Sequence, residues 1–143
     1  MKWITREHPH VDRVACPWLI QRFVDPAAEF LYVSGDRVLA EAAAQQATPF
    51  DVAGVDLGHH GEECSFDAFV HKYVDQDPAM ARLARIVRGA DTDRPDLAPE
   101  VNGFKAILEG LRALHYPNDQ AQREASAPIM EALYAYCRGG AKA

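Results

Sequence analysis

The feature that most constrains the fold of this chain is a change in hydrophobic pattern near its middle. The first half alternates short β-favouring runs with helical ones. Strands are predicted at residues 2–5 and 29–33, a helix at residues 38–46, and a third extended stretch or hairpin at residues 48–57. The helix between the first two strands either starts with Cys16 as its cap or is kinked by Pro17. The order β-α-β-α-β predicts a small, three-stranded, partly parallel sheet.

The second half carries apolar stripes with helical spacing. The residues that form these stripes are Phe66, Phe69, Val70, Tyr73 and Val74, then Met80, Leu83, Ala84 and Val87, and then Val101, Phe104, Ile107, Leu108 and Leu111. We expect Ser65 to cap the first helix, Gly89 to end the second, and Pro128 to break a last helix at residues 118–138. The sequence therefore predicts an α/β to α+β fold, in which the sheet of the N-terminal half packs against a helical C-terminal half.

Length and composition favour one soluble domain. With 143 residues, 48% of them hydrophobic, the chain has enough apolar residues for one core, which we place at residues 1–138 with a flexible tail at 139–143. No apolar run approaches the length of a membrane span. The cysteines Cys16, Cys64 and Cys137 are odd in number and widely spaced, which predicts reduced thiols in the cytoplasm.

The net charge indicates which partners to expect. A formal charge of −6 disfavours direct nucleic-acid binding, because phosphate recognition needs clustered Lys and Arg. We expect no membrane partner. The net charge does not decide between a protein partner and a homo-oligomer.

Residues 56–65 contain the densest group of reactive side chains. Imidazole, thiolate and carboxylate together suit zinc, iron or manganese, so His59, His60 and Cys64 are candidate ligands of a divalent metal ion. In a regular strand His59 and His60 would point to opposite faces, so one of them can be a ligand while the other is not. Cys64 precedes a helix and is also a candidate catalytic thiolate or part of an oxyanion pocket. Surface histidines and a buried, inert cysteine are the structural alternatives.

Two further groups of residues lie at predicted element ends. Asp12, Arg13 and Arg22 place a carboxylate and two guanidinium groups near the first strand–helix junction, where open α/β sheets bind ligands. A helix cap with surface ion pairs is the alternative. Asp91 lies near a predicted helix end, where it opposes the helix dipole, and is a candidate metal ligand or acid/base.

Three segments resemble a known family. They are residues 12–25 (DRVACPWLIQRFVD), residues 59–67 (HHGEECSFD) and residues 88–92 (RGADT). Together they resemble the carboxy-terminal domain of the bacterial chromate-resistance family ChrB. The resemblance implies a cytoplasmic role in sensing or handling chromate, another small oxyanion or a metal. It adds Trp18 to the ligand-binding candidates Asp12, Arg13 and Arg22.

The resemblance leaves three functional hypotheses open. Longer members of the family carry an amino-terminal region resembling a winged-helix DNA-binding module, so we expect this chain to act as a stand-alone domain rather than as a direct transcriptional regulator. The first hypothesis is metal or oxyanion binding in chromate resistance or sensing. The second is an enzyme, either a metal-dependent hydrolase or a thiol-dependent reductase. The third is a helical interaction module whose polar cluster only supports the fold.

Overall fold

The computed structural model describes residues 1–139, and its N-terminal half contains a parallel sheet of three strands. Strands β1 (Lys2–Arg6), β2 (Glu29–Val33) and β3 (Thr48–Pro49) are arranged in the order β2-β1-β3, and both pairings are parallel. Trp3 in the central strand pairs with Phe30 on one side and with Thr48 on the other. The third strand is shorter than the predicted stretch 48–57, because the chain turns into a loop after Pro49.

Helices connect the strands and form the second half of the chain. They are α1 (Asp12–Leu19), which continues as a π-helix (Ile20–Val24), α2 (Val38–Gln45), α3 (Ser65–Tyr73), α4 (Pro78–Asp91), α5 (Val101–His115) and α6 (Asp119–Cys137), with short 3₁₀ turns at Gly35–Arg37 and Pro95–Leu97. The predicted fold class, a small sheet with a helical second half, is confirmed. Residues 140–143 of the predicted tail lie outside the described residues.

The structure decides between two predicted helix starts and corrects a third. Helix α1 begins at Asp12 with Pro17 inside it, so the alternative of a start capped by Cys16 is wrong. Helix α3 is capped by Cys64 rather than by Ser65: the Asp67 carboxylate accepts the Cys64 backbone N–H at 3.0 Å and its Sγ–H at 3.4 Å. A carboxylate in the first turn is favourable because it faces the positive end of the helix dipole.

Two predicted helix breaks are absent from the described chain. Helix α4 continues through Gly89 to Asp91, because Gly89 is required for packing. A Cβ at Gly89 would lie 2.5 Å from Val101 Cγ2, so the glycine allows the start of α5 to approach α4 closely. Helix α6 likewise continues through Pro128 without ending.

The hydrophobic core lies between the sheet and the helices, and aromatic contacts in it attach β1 and the end of β3 to α3. Trp3 on β1 and Phe50 after β3 both pack against Phe69 on α3, with ring centroids 6.1 and 5.8 Å apart. A bidentate ion pair between Arg88 and the buried Asp67 joins α4 to α3, with distances of 3.0 and 2.9 Å. Among residues 1–139 no helix has the length and apolarity needed to cross a membrane.

Candidate functional site

Four polar side chains meet at the carboxyl edge of the sheet. Asp12 opens α1 shortly after β1, Asp51 follows β3, His59 lies in the loop before α3, and Asp91 is the last residue of α4. We call these four residues the carboxylate–histidine cluster. The carboxyl ends of parallel strands are where α/β sheets place their ligands, so the position itself suits binding.

The cluster is centred on the imidazole of His59. Its Nε2 atom lies 3.2 Å from Asp12 Oδ2, 3.3 Å from Asp51 Oδ1 and 3.1 Å from Asp91 Oδ2. The three carboxylate side chains are at most 13% exposed, whereas the His59 side chain is 45% exposed. The cluster is therefore buried on the carboxylate side and open to solvent on the histidine side.

Each carboxylate is held by contacts from other elements. Asp12 accepts the backbone N–H groups of Ser65 at 2.8 Å and Phe66 at 3.3 Å, and so sits at the amino end of α3. Its own backbone N–H donates to Asp91 Oδ1 at 3.2 Å. These contacts fix the positions of α1, α3 and α4 around the cluster.

Asp51 connects the cluster to two arginines. Its Oδ1 accepts the Ser65 hydroxyl at 2.8 Å, and its Oδ2 lies 3.3 Å from Arg13 Nε and 3.2 Å from an Arg6 terminal nitrogen. The buried Arg13 also donates to the backbone carbonyls of Arg6 and Glu7, at 3.1 and 2.8 Å. Both arginines thus form ion pairs with Asp51. Among residues 1–139, neither arginine forms a direct ion pair with Asp12 or Asp91.

The burial of the cluster shifts the protonation of Asp51, Asp91 and His59. Burial, and then the charge of Asp12, raises the pKa of Asp91 to about 7 and also raises the pKa of Asp51. The hydrogen bond with Asp12 raises the pKa of His59 to about 9. At neutral pH the imidazole is therefore a cation, and the cluster retains a positive group among its carboxylates.

Cys64 lies behind the cluster and is fully buried. Its Sγ and one oxygen each of Asp12 and Asp91 all lie within 4.8 Å of one another. Burial raises the pKa of Cys64 far above its usual range, so its thiol is neutral at physiological pH in this conformation.

The remaining candidates lie away from the cluster. His60 is exposed, and its Nε2 atom lies 2.7 Å from the Asp56 carbonyl oxygen. Trp18 and Arg22 both donate to Glu131 Oε1 on α6, at 3.1 and 3.2 Å, beside an open groove of about 420 Å³. Arg22 and Arg13 therefore contact different carboxylates, and the structure does not bring them together as one clamp.

Asp51 is the cluster residue that the sequence analysis missed. Its φ angle is +50°, in the left-handed region, and it follows a strand of only two residues. The predicted third stretch, residues 48–57, placed Asp51 inside a strand, whereas the strand ends at Pro49 and leaves Asp51 near its carboxyl end, where side chains of neighbouring parallel strands converge. Next to it lies a cavity of about 540 Å³ lined by Arg6, Gly35, Asp51, Val52, Ala53, Gly54 and His59.

Fold and site together define an α/β domain with a buried carboxylate–histidine cluster at the carboxyl edge of its sheet. A family model described as the C-terminal domain of ChrB matches residues 3–137, and the chain belongs to this family. Protein ChrB of Cupriavidus metallidurans is 36% identical over 136 residues, which cover 94% of this chain and 40% of that protein. The chain thus spans well under half of the length of this relative. No solved structure matches the chain.

Proposed function

We propose that this domain binds one divalent metal ion at the carboxylate–histidine cluster and that metal binding serves chromate resistance or sensing. The observation that supports the metal site is the convergence of three carboxylates, each within 3.3 Å of one imidazole nitrogen. Oxygen and imidazole donors together suit manganese, iron or zinc.

Charge balance is the first argument for a cation. Asp12, Asp51 and Asp91 are at most 13% exposed and repel one another when they are ionised, which contributes to the raised pKa values of Asp51 and Asp91. Arg6 and Arg13 pair with Asp51 alone among the three. Buried charges are costly unless they are paired or coordinate a metal. In the metal-free protein the protonated His59 supplies part of the missing positive charge. A metal ion would displace that proton and place a positive charge beside the same carboxylates.

Spacing and access are the second argument. Asp12, Asp51 and His59 offer one ligand atom each, and these three atoms all lie within 4.8 Å of one another. Ligands about 2.1 Å from a metal ion are roughly 3.0–3.4 Å apart in octahedral or tetrahedral geometry, which is similar to the distances from His59 Nε2 to Asp12 and Asp51. The exposed side of His59 and the adjoining cavity offer a route for the ion. The fully buried Cys64 Sγ donates a hydrogen bond to Asp67 and is not part of the set formed by Asp12, Asp51 and His59, so we assign it a supporting position.

The alternatives from the sequence have less support. An oxyanion site built on Arg13 would compete with Asp51, which already occupies that guanidinium group, and the three carboxylates would repel an anion. A reductase would need a Cys64 thiolate, which burial disfavours. A metal-dependent hydrolase would use the same cluster with the adjoining cavity, and this hypothesis stays a prediction.

The link to chromate rests on family membership. The relative that matches is ChrB, and the domain resembles that of chromate-resistance proteins. We infer that the metal-bound domain participates in this response in the cytoplasm, where its three free, buried thiols would stay reduced. Direct contact with DNA is not part of the proposal because the chain is acidic.

Metal content tests the proposal. Protein purified without an affinity tag, or reloaded with manganese, iron(II) or zinc, is expected to hold about one ion per chain by elemental analysis. The variants His59→Ala and Asp91→Asn are expected to lose it, whereas His60→Ala, a matched change of the neighbouring histidine, is expected to keep it. Absence of metal after reloading, or equal loss in the His60→Ala variant, would contradict the proposed site.

A further inference from the structure

The cavity beside the carboxylate–histidine cluster lies over the carboxyl edge of the sheet. Its volume is about 540 Å³, and we call it the sheet-edge cavity. Its walls come from the ends of all three strands: Arg6 is the last residue of β1, Gly35 lies shortly after β2, and Asp51 lies shortly after β3. Ligands of open α/β sheets bind outside the carboxyl ends of the strands. The sheet-edge cavity therefore has the position of a ligand pocket.

Arg6 forms a cationic wall of this cavity, and its guanidinium group is fixed in place. Its Nε atom donates to the Asp51 carbonyl oxygen at 3.1 Å, and its Nη2 atom donates to the Asp51 carboxylate at 3.2 Å. Gly35 leaves room for this arrangement, because a Cβ there would lie 3.2 Å from Arg6 Cδ. The Arg6 side chain is nevertheless 44% exposed, and its Nη1 atom has no hydrogen-bond partner among residues 1–139. A fixed guanidinium group with unused N–H donors can bind an anion at a low cost in side-chain entropy.

Asp51 connects Arg6 to the proposed metal ligands. Its Oδ1 atom lies 3.3 Å from His59 Nε2, and its Oδ2 atom lies 3.2 Å from Arg6 Nη2. A metal ion held by Asp12, Asp51 and His59 would therefore lie near Arg6, and His59 itself lines the cavity. With these three ligands, or with Asp91 as a fourth, an octahedral ion such as manganese keeps coordination positions for water or another ligand.

The charge of the metal-loaded site favours an anion. The three carboxylates of the cluster carry at most three negative charges, whereas a divalent ion together with Arg6 and Arg13 carries four positive charges. The repulsion that disfavours an anion in the metal-free chain is thus offset once the ion is bound. A tetrahedral oxyanion has several oxygens, so one of them can bind the ion while another accepts a hydrogen bond from Arg6.

The opposite wall of the cavity leaves room for an organic group. Val52, Ala53 and Gly54 form this wall, and their side chains are uncharged and small or absent. The cavity volume of about 540 Å³ lies within the range of roughly 300–1,000 Å³ that is usual for pockets of small organic ligands. A bare oxyanion would fill only a small part of this space. The cavity therefore suits an anionic head group that carries an organic group.

We propose that the sheet-edge cavity binds the phosphate monoester of a small organic molecule. The phosphate would contact the metal ion and Arg6, and the organic group would lie along residues 52–54. A phosphate monoester carries close to two negative charges at neutral pH, so it matches the surplus positive charge of the metal-loaded site. The inference rests on the proposed metal site and names the class of ligand that this site takes.

Calorimetry with phenyl phosphate tests the proposal. The full chain is loaded with manganese and freed of unbound ions before the titration. We expect a dissociation constant below about 1 mM, and binding at least about tenfold weaker after the metal is removed. Inorganic phosphate is expected to bind more weakly than phenyl phosphate, because it lacks the organic group that contacts residues 52–54.

Two variants separate the contributions of the phosphate and of the organic group. Arg6→Gln is expected to weaken the binding of both probes by more than about tenfold, because it removes a charge-assisted hydrogen bond. Ala53→Phe places a ring in the cavity without changing a cluster residue, so it is expected to weaken phenyl phosphate and to spare inorganic phosphate. The matched control is Arg37→Gln, since Arg37 is 60% exposed and pairs with Glu41 outside the cavity. The metal content of every variant is measured first, because Arg6 also contacts Asp51.

The outcomes distinguish this inference from the proposed metal site. A chain that takes up no metal contradicts both. A metal-loaded chain that binds neither probe, or that binds phenyl phosphate equally well with and without metal, contradicts the phosphate site alone. Equal effects of Arg6→Gln and Arg37→Gln in metal-loaded protein, or phenyl phosphate binding that Ala53→Phe leaves unchanged, would also overturn it.

Discussion

The protonation of His59 links the cluster to the stability of the metal-free protein. The pKa of His59 is about 9 in the folded chain, against an ordinary value of 6.5. The folded state therefore holds this proton more tightly than the unfolded state, and the imidazole stabilises the fold fully below pH 6.5. That stabilisation is lost as the pH rises from 6.5 through 9. The raised pKa of Asp91, about 7, acts in the same direction at lower pH, between the ordinary value of 3.8 and 7.

The size of the effect follows from the shift and the exposure of His59. Between pH 6.5 and 8.5, two pH units at about 1.4 kcal/mol each set an upper bound of about 2.8 kcal/mol. Because the His59 side chain is 45% exposed, solvent screening reduces the expected loss in the free energy of unfolding to roughly 1 kcal/mol. The three buried cysteines also ionise in the unfolded chain as the pH approaches 8.5 and lower the stability further, so the part due to His59 is the difference between the wild type and a variant that lacks the titrating cluster groups but keeps the cysteines.

Urea denaturation with chelator present, at pH 6.5 and 8.5, measures this loss. The control is the double variant His59→Gln and Asp91→Asn, in which neutral amides replace both titrating groups and the pH dependence is expected to weaken. An NMR titration of the metal-free protein reports the pKa of the imidazole directly. An imidazole that titrates at or below 6.5, or an equal loss of stability in the double variant, would refute the proposed electrostatics of the cluster.

Two further predictions concern the contacts that position α4. The Gly89→Ala variant is expected to lower the free energy of unfolding by about 1–3 kcal/mol, because its Cβ would lie 2.5 Å from Val101 Cγ2. Thermal or urea denaturation measures this loss. Unchanged stability would mean that α5 moves away from α4 without a cost in free energy. The Arg88→Ala variant is expected to cost about 3 kcal/mol, since it leaves the buried Asp67 unpaired. The matched change Arg94→Ala, in an exposed ion pair, is expected to cost less than about 0.5 kcal/mol, and equal losses in the two variants would argue against the buried pair.

The fold was predictable where the hydrophobic pattern alone determines an element. The strand at Glu29–Val33 has the predicted bounds, and most residues of the predicted stripes of α3, α4 and α5 face the core. The exceptions are Ile107 and Tyr73, which are 50% and 36% exposed. Element ends were harder to predict, because they depend on contacts that are distant in sequence. Gly89 does not end a helix because Val101 packs against it, and Cys64 replaces Ser65 as a cap because the Ser65 hydroxyl donates to Asp51.

The candidate site was predictable in part for the same reason. Asp12, His59 and Asp91 were candidates from residue type and position at element ends, and the structure brings them together. The choice between His59 and His60 depended on the turn at residues 60–63, in which the backbones of His60 and Glu63 pair with each other. No local pattern indicated that Asp51 would face the same imidazole.

The Asp12 carboxylate both supports the fold and faces His59, so a substitution of Asp12 would change folding and metal binding together. Its carboxylate binds two backbone N–H groups at the start of α3 and also faces His59. Loss of that carboxylate would remove a helix cap as well as a proposed metal ligand, so folding and binding would change together. His59 and Asp91 are better probes of binding, because His59 is half-exposed and Asp91 lies at a helix end. A loss of metal from the His59→Ala and Asp91→Asn variants with folding intact would therefore identify the cluster as a binding site rather than a support for the fold.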